Sequence, residues 1–344
     1  MAETQCDIIM PVYNRLDLTK GCLDSIYART RIPINLILID NASFAETKDF
    51  LEGFRASKDN VRLVRNERNL GWIKAVNQGM ALSSSRYVCI MNNDTVVRTD
   101  GWLSRMIEVA EMAADIGLVN PSFDTKNETC RTGKPFIEVD FCRGYCILIK
   151  RVVVDRIGRL DEAYGAGYYD DDDYSVRAIR AGFKCVKANN VLVEHMRDST
   201  FKTVFGEDNR MALHEKNKAL FYSKWGRRLN LFFAIMRIGD RKKVSGLLLS
   251  LARRQHRICL WNFADPLRIE HTNIIERRLP KIFPSAIISL RLYINSRKKK
   301  ARQYDIVFTG DIKMGIGRGY NISRLDLEKD ASLISELIEA RARA

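Results

Sequence analysis

Several segments that would place this 344-residue chain in a familiar class are missing from its sequence. Its first residues contain no basic stretch followed by a long apolar one, so we expect no secretory leader and a cytosolic mature chain. The apolar runs of its C-terminal part, residues 229–236 and 244–252, are far shorter than the roughly 20 residues that span a bilayer. We therefore expect no transmembrane helix.

A disulfide or zinc framework is also absent from the sequence. Eight cysteines are present, but they are scattered, and only Cys142 and Cys146 lie close together. Their spacing does not match a zinc ribbon. We expect these cysteines to be reduced thiols that pack in the core.

Acidic residues are scarce in one region only. Residues 227–302 contain 19 Lys and Arg but only four Asp and Glu, whereas the rest of the chain contains 38 residues of each sign. This uneven charge predicts three parts: an N-terminal domain at 1–226, a basic amphipathic helical region at 227–302 and a C-terminal segment at 303–344.

The N-terminal part alternates strand and helix patterns. Short apolar runs too hydrophobic to have a solvated face alternate with helical periodicity, which predicts an α/β fold with a mostly parallel central sheet covered by helices. The predicted strands are 6–12, 34–39, 61–64, 87–91, 117–120, 141–149 and 191–194, and the predicted helices are 16–27, 47–55, 73–82, 102–113 and 171–181.

Polar motifs follow three of these strands. They are Pro11-Val12-Tyr13-Asn14, Asp40-Asn41-Ala42-Ser43 and Asn92-Asn93-Asp94. Open α/β sheets bind ligands at the carboxyl ends of their strands, so the three motifs should meet at one rim. Asp94 could hold a divalent cation against phosphate oxygens, and the acid cluster Asp170 to Asp173 could supply a separate base.

In this order and spacing, the motifs resemble glycosyltransferase family 2, the inverting nucleotide-sugar enzymes of GT-A fold. The resemblance covers residues 6 to about 225 and also includes Asn66 through Asn77, Leu160-Asp161-Glu162 and Tyr169 through Asp173. It is nearest to the rhamnosyltransferase-like branch. It implies transfer of a sugar from a nucleotide-sugar donor to a hydroxyl of a saccharide or glycolipid acceptor, in bacterial surface polysaccharide or glycolipid assembly.

The resemblance also implies roles for particular residues. Asp171 would be the catalytic base and Asp170 would orient the acceptor, although the family usually has Glu at the latter position. Asp94 and His195 would bind Mg²⁺ or Mn²⁺, with Asn92 where the family often has Asp. The implied nucleotide-sugar contacts are Pro11, Val12, Tyr13, Asn14, Asp40, Asn69, Gly71, Trp72, Asn77, Asn92, Asn93 and Lys216.

Each role has a structural alternative. Asp40 could cap the following helix, Trp72 could be a packing residue, and Asp94 could simply end a strand. His195 could be structural, and the acids after Tyr169 could be favoured only by the helix dipole.

The basic region leaves two interpretations open. Its helices could lie on an anionic membrane, which would place a cytoplasmic enzyme peripherally on the inner face of the plasma membrane. Alternatively, they could pack on the main domain or on a second subunit, as in a homo-oligomer. Binding to nucleic acid through basic helices is a different class of function. We expect no nucleic-acid partner, since no recognition module is present, and the intact Asp40, Asp94 and Asp171 argue against a non-catalytic scaffold.

Overall fold

The computed structural model describes residues 6–122, 133–196, 199–281, 283–300, 303–310, 312, 320 and 322–344, and for 199–207 it describes the backbone only. The chain divides into two compact units, Met1–Phe221 and Tyr222–Ala344. Among the described helices, none has the length and apolar character needed to cross a bilayer. Every cysteine in the described ranges is a free thiol, as predicted.

The first unit is a mixed α/β structure, which confirms the predicted fold class. In chain order its elements are β1 (Cys6–Val12), α1 (Leu16–Arg29), β2 (Ile34–Asp40), α2 (Ala45–Ala56), β3 (Val61–Arg65), α3 (Trp72–Leu82), β4 (Tyr87–Met91), β5 (Thr95–Val97), α4 (Trp102–Glu111), β6 (Ile116–Ser122), β7 (Phe136–Val139), β8 (Cys146–Lys150), α5 (Arg151–Ile157), a 3-10 turn (Glu162–Tyr164), α6 (Asp170–Arg180), β9 (Lys184–His195) and α7 (Ser199–Trp225), which continues past the boundary of the unit.

The sheet of this unit has the order β3-β2-β1-β4-β8-β6-β9-β5, with β7 paired to β9. Strands β1 to β4 are parallel, as predicted. Every residue of β1 is buried, which explains why its sequence shows no alternation. The later strands are of mixed direction: β8 runs antiparallel to both β4 and β6, whereas β6 and β9 are parallel.

The register of the sheet places the predicted motifs at one edge. Val12 at the end of β1 pairs with Asp40 at the end of β2. The antiparallel pairing of β4 with β8 sets Met91 opposite Cys146, and that of β5 with β9 sets Thr95 opposite His195. Residues far apart in sequence therefore meet beside Asn92 and Asp94.

The second unit is also an α/β structure. It contains β10 (Asn230–Ile235), α8 (Arg241–Arg253), β11 (Arg257–Asn262), β12 (Ile274–Arg278), α9 (Pro284–Ser296), β13 (Ile306–Phe308), β14 (Ile322–Ser323) and α10 (Ala331–Arg343). All its strand pairs are parallel, in the order β12-β11-β10-β13-β14.

This sheet corrects the prediction of a separate basic helical region. Residues 229–236 supply strand β10 rather than an amphipathic helix, and Leu231, Phe232 and Phe233 are completely buried. Since β10 pairs with β13, the ranges 227–302 and 303–344 contribute to one sheet. The physical reason is that 229–236 is apolar at almost every position, which leaves no polar face for a surface helix. Residues 244–252 are helical as expected, within α8.

Candidate active site

The loops after β1 and β2 are held together and are locally strained. Asn14 has φ 56° and Ala42 has φ 67°, left-handed conformations that non-glycine residues adopt at an energetic cost. The Asn14 N–H donates to Ser43 Oγ over 2.9 Å, and Asn14 Oδ1 accepts from the Phe44 N–H over 2.8 Å. These contacts fix the shape of the rim at the ends of the first two strands.

Asp40 is buried beneath this rim, with 1% of its side chain exposed. One carboxylate oxygen accepts from the Ser43 N–H over 2.8 Å, and the other is bound by the Arg65 guanidinium. Arg65 also donates to the Ser43 carbonyl over 3.0 Å, and 37% of its side chain is exposed. The side chain nearer to solvent at this point is thus Arg65. The predicted contact of Asp40 with a nucleobase stays a prediction.

A network of asparagines connects the β2 end to the loop before α3. Asn69 Oδ1 accepts from Asn41 Nδ2 over 2.7 Å and from the Gly71 N–H over 2.9 Å. The Leu70 N–H donates to Asn41 Oδ1 over 2.9 Å. Gly71 has φ 85°, which favours glycine, and a Cβ there would lie 3.5 Å from Ala166 Cα. The network therefore positions Trp72 as the first residue of α3.

Trp72 extends this network to the predicted metal ligands. Its indole N–H donates to Asn92 Oδ1 over 2.9 Å, and Asn92 Nδ2 lies 3.3 Å from His195 Nε2. The same imidazole nitrogen lies 3.2 Å from Asp94 Oδ1. The ring of Tyr145 stacks on His195 with centroids 5.1 Å apart. The structure thus brings Asn92, Asp94 and His195 together.

This donor set fits a small divalent cation whose coordination is completed by a ligand. It offers a carboxylate and an imidazole, whereas the Asn92 amide oxygen already accepts from Trp72 and its Nδ2 faces His195. Among the described residues, no group of three or more His, Cys, Asp and Glu side chains is arranged to hold a metal without help. Mg²⁺ is commonly bound by one or two carboxylates together with substrate phosphates. Asp94 supplies one such carboxylate, and the His195 imidazole beside it is a ligand type that suits Mn²⁺ better than Mg²⁺.

Asp171 faces the same network through the segment before β8. Its Oδ2 accepts from the Gly144 N–H over 2.9 Å, and a Cβ on Gly144 would lie 3.3 Å from the Trp72 ring. The next residue, Tyr145, accepts from the Asn92 N–H through its carbonyl over 2.9 Å. Residues 144 and 145 therefore connect Asp171 with Asn92, the neighbour of the predicted metal ligands.

The acids of the cluster lie in different environments. Burial raises the pKa of Asp171, against the lowering effect of the Gly144 hydrogen bond, and the side chain is partly exposed. Asp170 is 4% exposed, and burial together with the charge of Asp171 raises its pKa well above the ordinary value. Asp173 binds Arg177 over 2.8 Å and accepts from the Tyr164 hydroxyl, so its role is structural. Asp171 is the acid of these three that is accessible to a ligand.

The turn before this cluster is strained and braced. Tyr168 and Tyr169 have φ of 69° and 66°. The buried amide of Asn217 donates to the carbonyls of Tyr164 and Gly167, both over 2.7 Å. Such bracing maintains an unfavourable backbone at the start of α6, as is common at functional sites.

Three of the predicted nucleotide-sugar contacts do not lie in the network described above: two are asparagines bonded to other parts of the protein, and one is an exposed lysine. Asn93 donates to Thr19 Oγ1 over 2.9 Å in α1. Asn77 is satisfied by Leu160 and by Glu162, whose Oε1 lies 3.0 Å away. Lys216 is exposed on α7. In the structure Asn93 and Asn77 thus form hydrogen bonds within the protein, and a role for Lys216 stays a prediction.

Sequence reasoning missed Arg65, Gly144 and Tyr145. Arg65 is the last residue of β3, Val61–Arg65, whose sequence alternates polar and apolar residues. Only the strand register shows that Arg65 meets Asp40. The other two were assigned to a strand at 141–149, but the strand begins at Cys146. A glycine and an aromatic residue directly before an apolar run were the available signal.

Comparisons with known proteins agree with this geometry. Residues 7–158 match the profile of the family described as glycosyl transferase family 2. The chain is 25% identical over 113 residues to glycosyltransferase GlyG of Streptococcus pneumoniae, covering 33% of this chain and 38% of the relative. It is 24% identical over 238 residues to the succinoglycan biosynthesis protein ExoO of Rhizobium meliloti, covering 61% of this chain and 66% of the relative. The chain spans less than two thirds of the length of either relative.

A solved structure shares the fold over about two thirds of the chain. It is the mannosyltransferase PcManGT of Pyrobaculum calidifontis, in complex with GDP-Man and Mn²⁺. It superposes with a TM-score of 0.52 at 16% identity, covering 64% of this chain and 65% of the other. The GT-A fold is thereby confirmed, whereas the rhamnosyltransferase-like branch stays a prediction.

Proposed function

Since residues 7–158 match the glycosyl transferase family 2 profile, we propose that the protein moves a sugar from a nucleotide-sugar donor to a hydroxyl of a saccharide or glycolipid acceptor, with inversion at the anomeric carbon. The observation that carries this proposal is the connection from Asp171 through Gly144 and Tyr145 to Asn92, beside Asp94 and His195. It connects a partly exposed acid, Asp171, with a second acid, Asp94, that lies beside a histidine as in a metal site. A displacement reaction needs a base for the nucleophile and a cation for the leaving group.

In this reaction Asp171 accepts the proton of the acceptor hydroxyl. The oxygen then forms a bond to the anomeric carbon as the bond from that carbon to the donor phosphate breaks, and the nucleoside diphosphate leaves. A general base must lie within hydrogen-bond reach of the proton it removes. The Gly144 N–H and the Asp172 N–H each donate to one Asp171 oxygen, which fixes the orientation of the carboxylate for this task.

The opposite side of the site serves the leaving group. Asp94 and His195, with Asn92 beside them, would hold Mg²⁺ or Mn²⁺ against the two donor phosphates. A divalent cation there stabilises the negative charge that develops on the diphosphate. The strained loops at Asn14 and Ala42, with Arg65 beside them, would contact the nucleoside.

The acceptor class is proposed from chemistry and from the named relatives. A carboxylate base suits a sugar hydroxyl, whose proton must be removed as the new bond forms. One similar protein is named for succinoglycan biosynthesis, which supports a bacterial polysaccharide or glycolipid as acceptor.

A donor panel tests the proposal. We expect one nucleotide class among UDP-, GDP- and dTDP-linked sugars to raise the unfolding temperature with Mn²⁺ or Mg²⁺ and to be slowly hydrolysed. A ligand at 100 times its dissociation constant stabilises the bound state by about 2.7 kcal/mol, which thermal shift resolves readily. EDTA should remove both effects. If no nucleotide sugar binds in the presence of metal, the proposed reaction is wrong.

We also propose that the protein contacts an anionic membrane on the cytoplasmic side, through α9 and the basic residues after it. The helix exposes apolar side chains, with Leu290 60%, Tyr293 56% and Ile294 48% exposed, and Phe283, directly before the helix, is 76% exposed. Four exposed cations, residues 297–300, follow directly. Apolar side chains next to a cluster of cations suit a surface of anionic lipid headgroups. The α9 surface takes the place of residues 229–236 as the candidate membrane contact, because most of those residues are buried in strand β10.

Liposome sedimentation tests this surface. Each cation near an anionic bilayer contributes about 1 kcal/mol, so replacing Lys298, Lys299 and Lys300 by Gln should weaken binding to phosphatidylglycerol vesicles by about 100-fold. Leu290→Gln with Ile294→Gln should also weaken it. The matched control is Leu333→Gln with Leu337→Gln on α10, whose side chains are 50% and 40% exposed. Equal binding by all variants would assign the contact elsewhere.

A further inference from the structure

The second unit contains a cavity at a point where parallel sheets bind ligands. Its strand order, β12-β11-β10-β13-β14, reverses direction between β10 and β13. In open α/β sheets, ligands bind at the carboxyl ends of the two strands that flank such a reversal. A cavity of about 490 Å³ lies there, lined by residues that follow β10, β13 and β14. Small-molecule sites generally have volumes of roughly 300–1,000 Å³.

The start of a helix contributes a hydrogen-bond donor to the lining. Pro284 and Ser285, the first residues of the 13-residue helix α9, both line the cavity, and since proline has no N–H the first backbone donor there is that of Ser285. No side chain caps the start of this helix, and the first amides of a helix have no partner within it. They carry the positive end of the helix dipole and bind phosphate groups well. Arg237, exposed directly after β10, adds a positive charge to the lining.

An independent observation also points to a ligand. Thr309, the residue after β13, lines the cavity and is 1% exposed. Its hydroxyl has no hydrogen-bond partner among the described residues. A buried hydroxyl without a partner is destabilising, so a ligand atom that bonds to it would be favoured.

The lining also carries acceptors. Asp326 and Glu328 belong to it, and the pKa of Asp326 is lowered by hydrogen bonds from the backbone N–H groups of Lys329 and Glu328. Glu328 Oε1 accepts from the Gly239 N–H over 2.5 Å. Carboxylates positioned by backbone donors still have lone pairs available for hydroxyl groups of a ligand. The lining thus offers both donors for an anion and acceptors for hydroxyl groups.

We propose that this cavity binds a phosphorylated polyol, either a nucleotide or a sugar phosphate, with the phosphate at the start of α9 beside Arg237 and Thr309 and the hydroxyl groups toward Asp326 and Glu328. This site is separate from the rim that holds Asp94 and Asp171, since it lies in the second unit and none of its lining residues belongs to the family 2 domain.

Calorimetry on the full chain tests the site, with EDTA present to suppress metal-dependent binding in the first unit. The probes are nucleoside monophosphates, hexose phosphates and inorganic phosphate, and the ester that binds identifies the source. We expect one ester class to bind at least tenfold more tightly than inorganic phosphate. The same affinity should be found in Asp94→Asn, since binding here does not use the predicted metal ligands.

Two conservative variants locate that binding. Thr309→Val removes a hydroxyl that has no partner, so the fold should persist while affinity falls at least tenfold. Arg237→Gln should weaken binding similarly. Arg257→Gln is the matched control, because Arg257 is an exposed arginine at the start of β11, at the opposite edge of the sheet.

Three results would overturn the proposal. One is the absence of binding by any phosphate ester in EDTA, and another is affinity that is unchanged in both Thr309→Val and Arg237→Gln. The third is binding that is lost in Asp94→Asn but kept in Thr309→Val, because that pattern would place the ligand in the first unit. If no nucleotide sugar binds in the presence of metal, the proposed transfer reaction is wrong, but the results expected for this cavity are unchanged.

Discussion

Replacing Asp171 with Asn is expected to lower the rate of sugar transfer by about 10²–10⁴-fold while donor affinity stays close to that of the natural protein. The amide keeps the shape of the side chain but cannot take a proton from the acceptor. The Asp171 carboxylate accepts from the Gly144 and Asp172 N–H groups, whereas the predicted cation site is formed by Asp94 and His195, so metal and donor diphosphate should still bind. The measurement is steady-state transfer, together with calorimetric donor titration in the presence of metal.

The pH profile gives this prediction a second signature. The base works only when deprotonated, and burial raises the pKa of Asp171 above that of an ordinary aspartate. Activity should therefore fall as the pH drops through this raised pKa, at a higher pH than a solvated Asp, near 3.9, would require. In Asp171→Asn the residual rate should lack that acid limb.

A matched control separates the role of Asp171 from a general loss of charge. Asp155, an exposed acid on α5, can be changed to Asn with little effect on either transfer or donor binding. Rapid transfer by Asp171→Asn with an unaltered acid limb would assign the base to another residue.

The first half of the fold was predictable because its strands have a strong local signal. Strands such as Cys6–Val12 and Tyr87–Met91 are buried along their whole length, so hydrophobic runs bounded by polar motifs identify them correctly. The rim could also be anticipated, since parallel strands end at a common edge. The antiparallel pairings of β8 with β4 and of β9 with β5 are not encoded locally, so the sequence does not show that Tyr145 stacks on His195.

The second unit is harder to predict, because its charge pattern favours a different structure from its burial pattern. The arginines around Leu231 and Phe233 favoured a surface helix, yet the run between them has almost no polar position. Such a run can be a strand covered on both faces. Its parallel partners, including the three-residue strand Ile306–Phe308, lie up to about 75 residues away, so no short window of sequence reveals the sheet.

The predicted contact residues also differ in how well their positions could be predicted. Asn92, Asp94 and His195 meet because strand ends bring them together. Asn77 and Asn93 carry the same polar chemistry, but they point toward Leu160 and Thr19. Residue type and order in the sequence predict which segments approach the site. The direction of each side chain depends on packing that only coordinates show.

Replacing Asp94 with Asn is expected to weaken metal-dependent donor binding by at least about tenfold. Asp94 supplies the one carboxylate of the predicted metal set and is 6% exposed, so its charge acts in a poorly solvated position. Loss of the carboxylate leaves an imidazole and two amides, which neutralise no charge, and a tenfold change corresponds to only about 1.4 kcal/mol. Calorimetric titration of the nucleoside diphosphate with Mn²⁺ and with EDTA measures the effect.

The comparison that decides this prediction is the ratio of the affinities with and without metal. In the natural protein the ratio should be large, and in Asp94→Asn it should approach one. Asp100→Asn is the control, because Asp100 is an exposed acid that pairs with Arg29 over 2.6 Å, and such surface pairs contribute little to stability. A ratio that survives in Asp94→Asn would mean that the cation is held by other groups, and the assignment of Asp94 and His195 as its ligands would then be wrong.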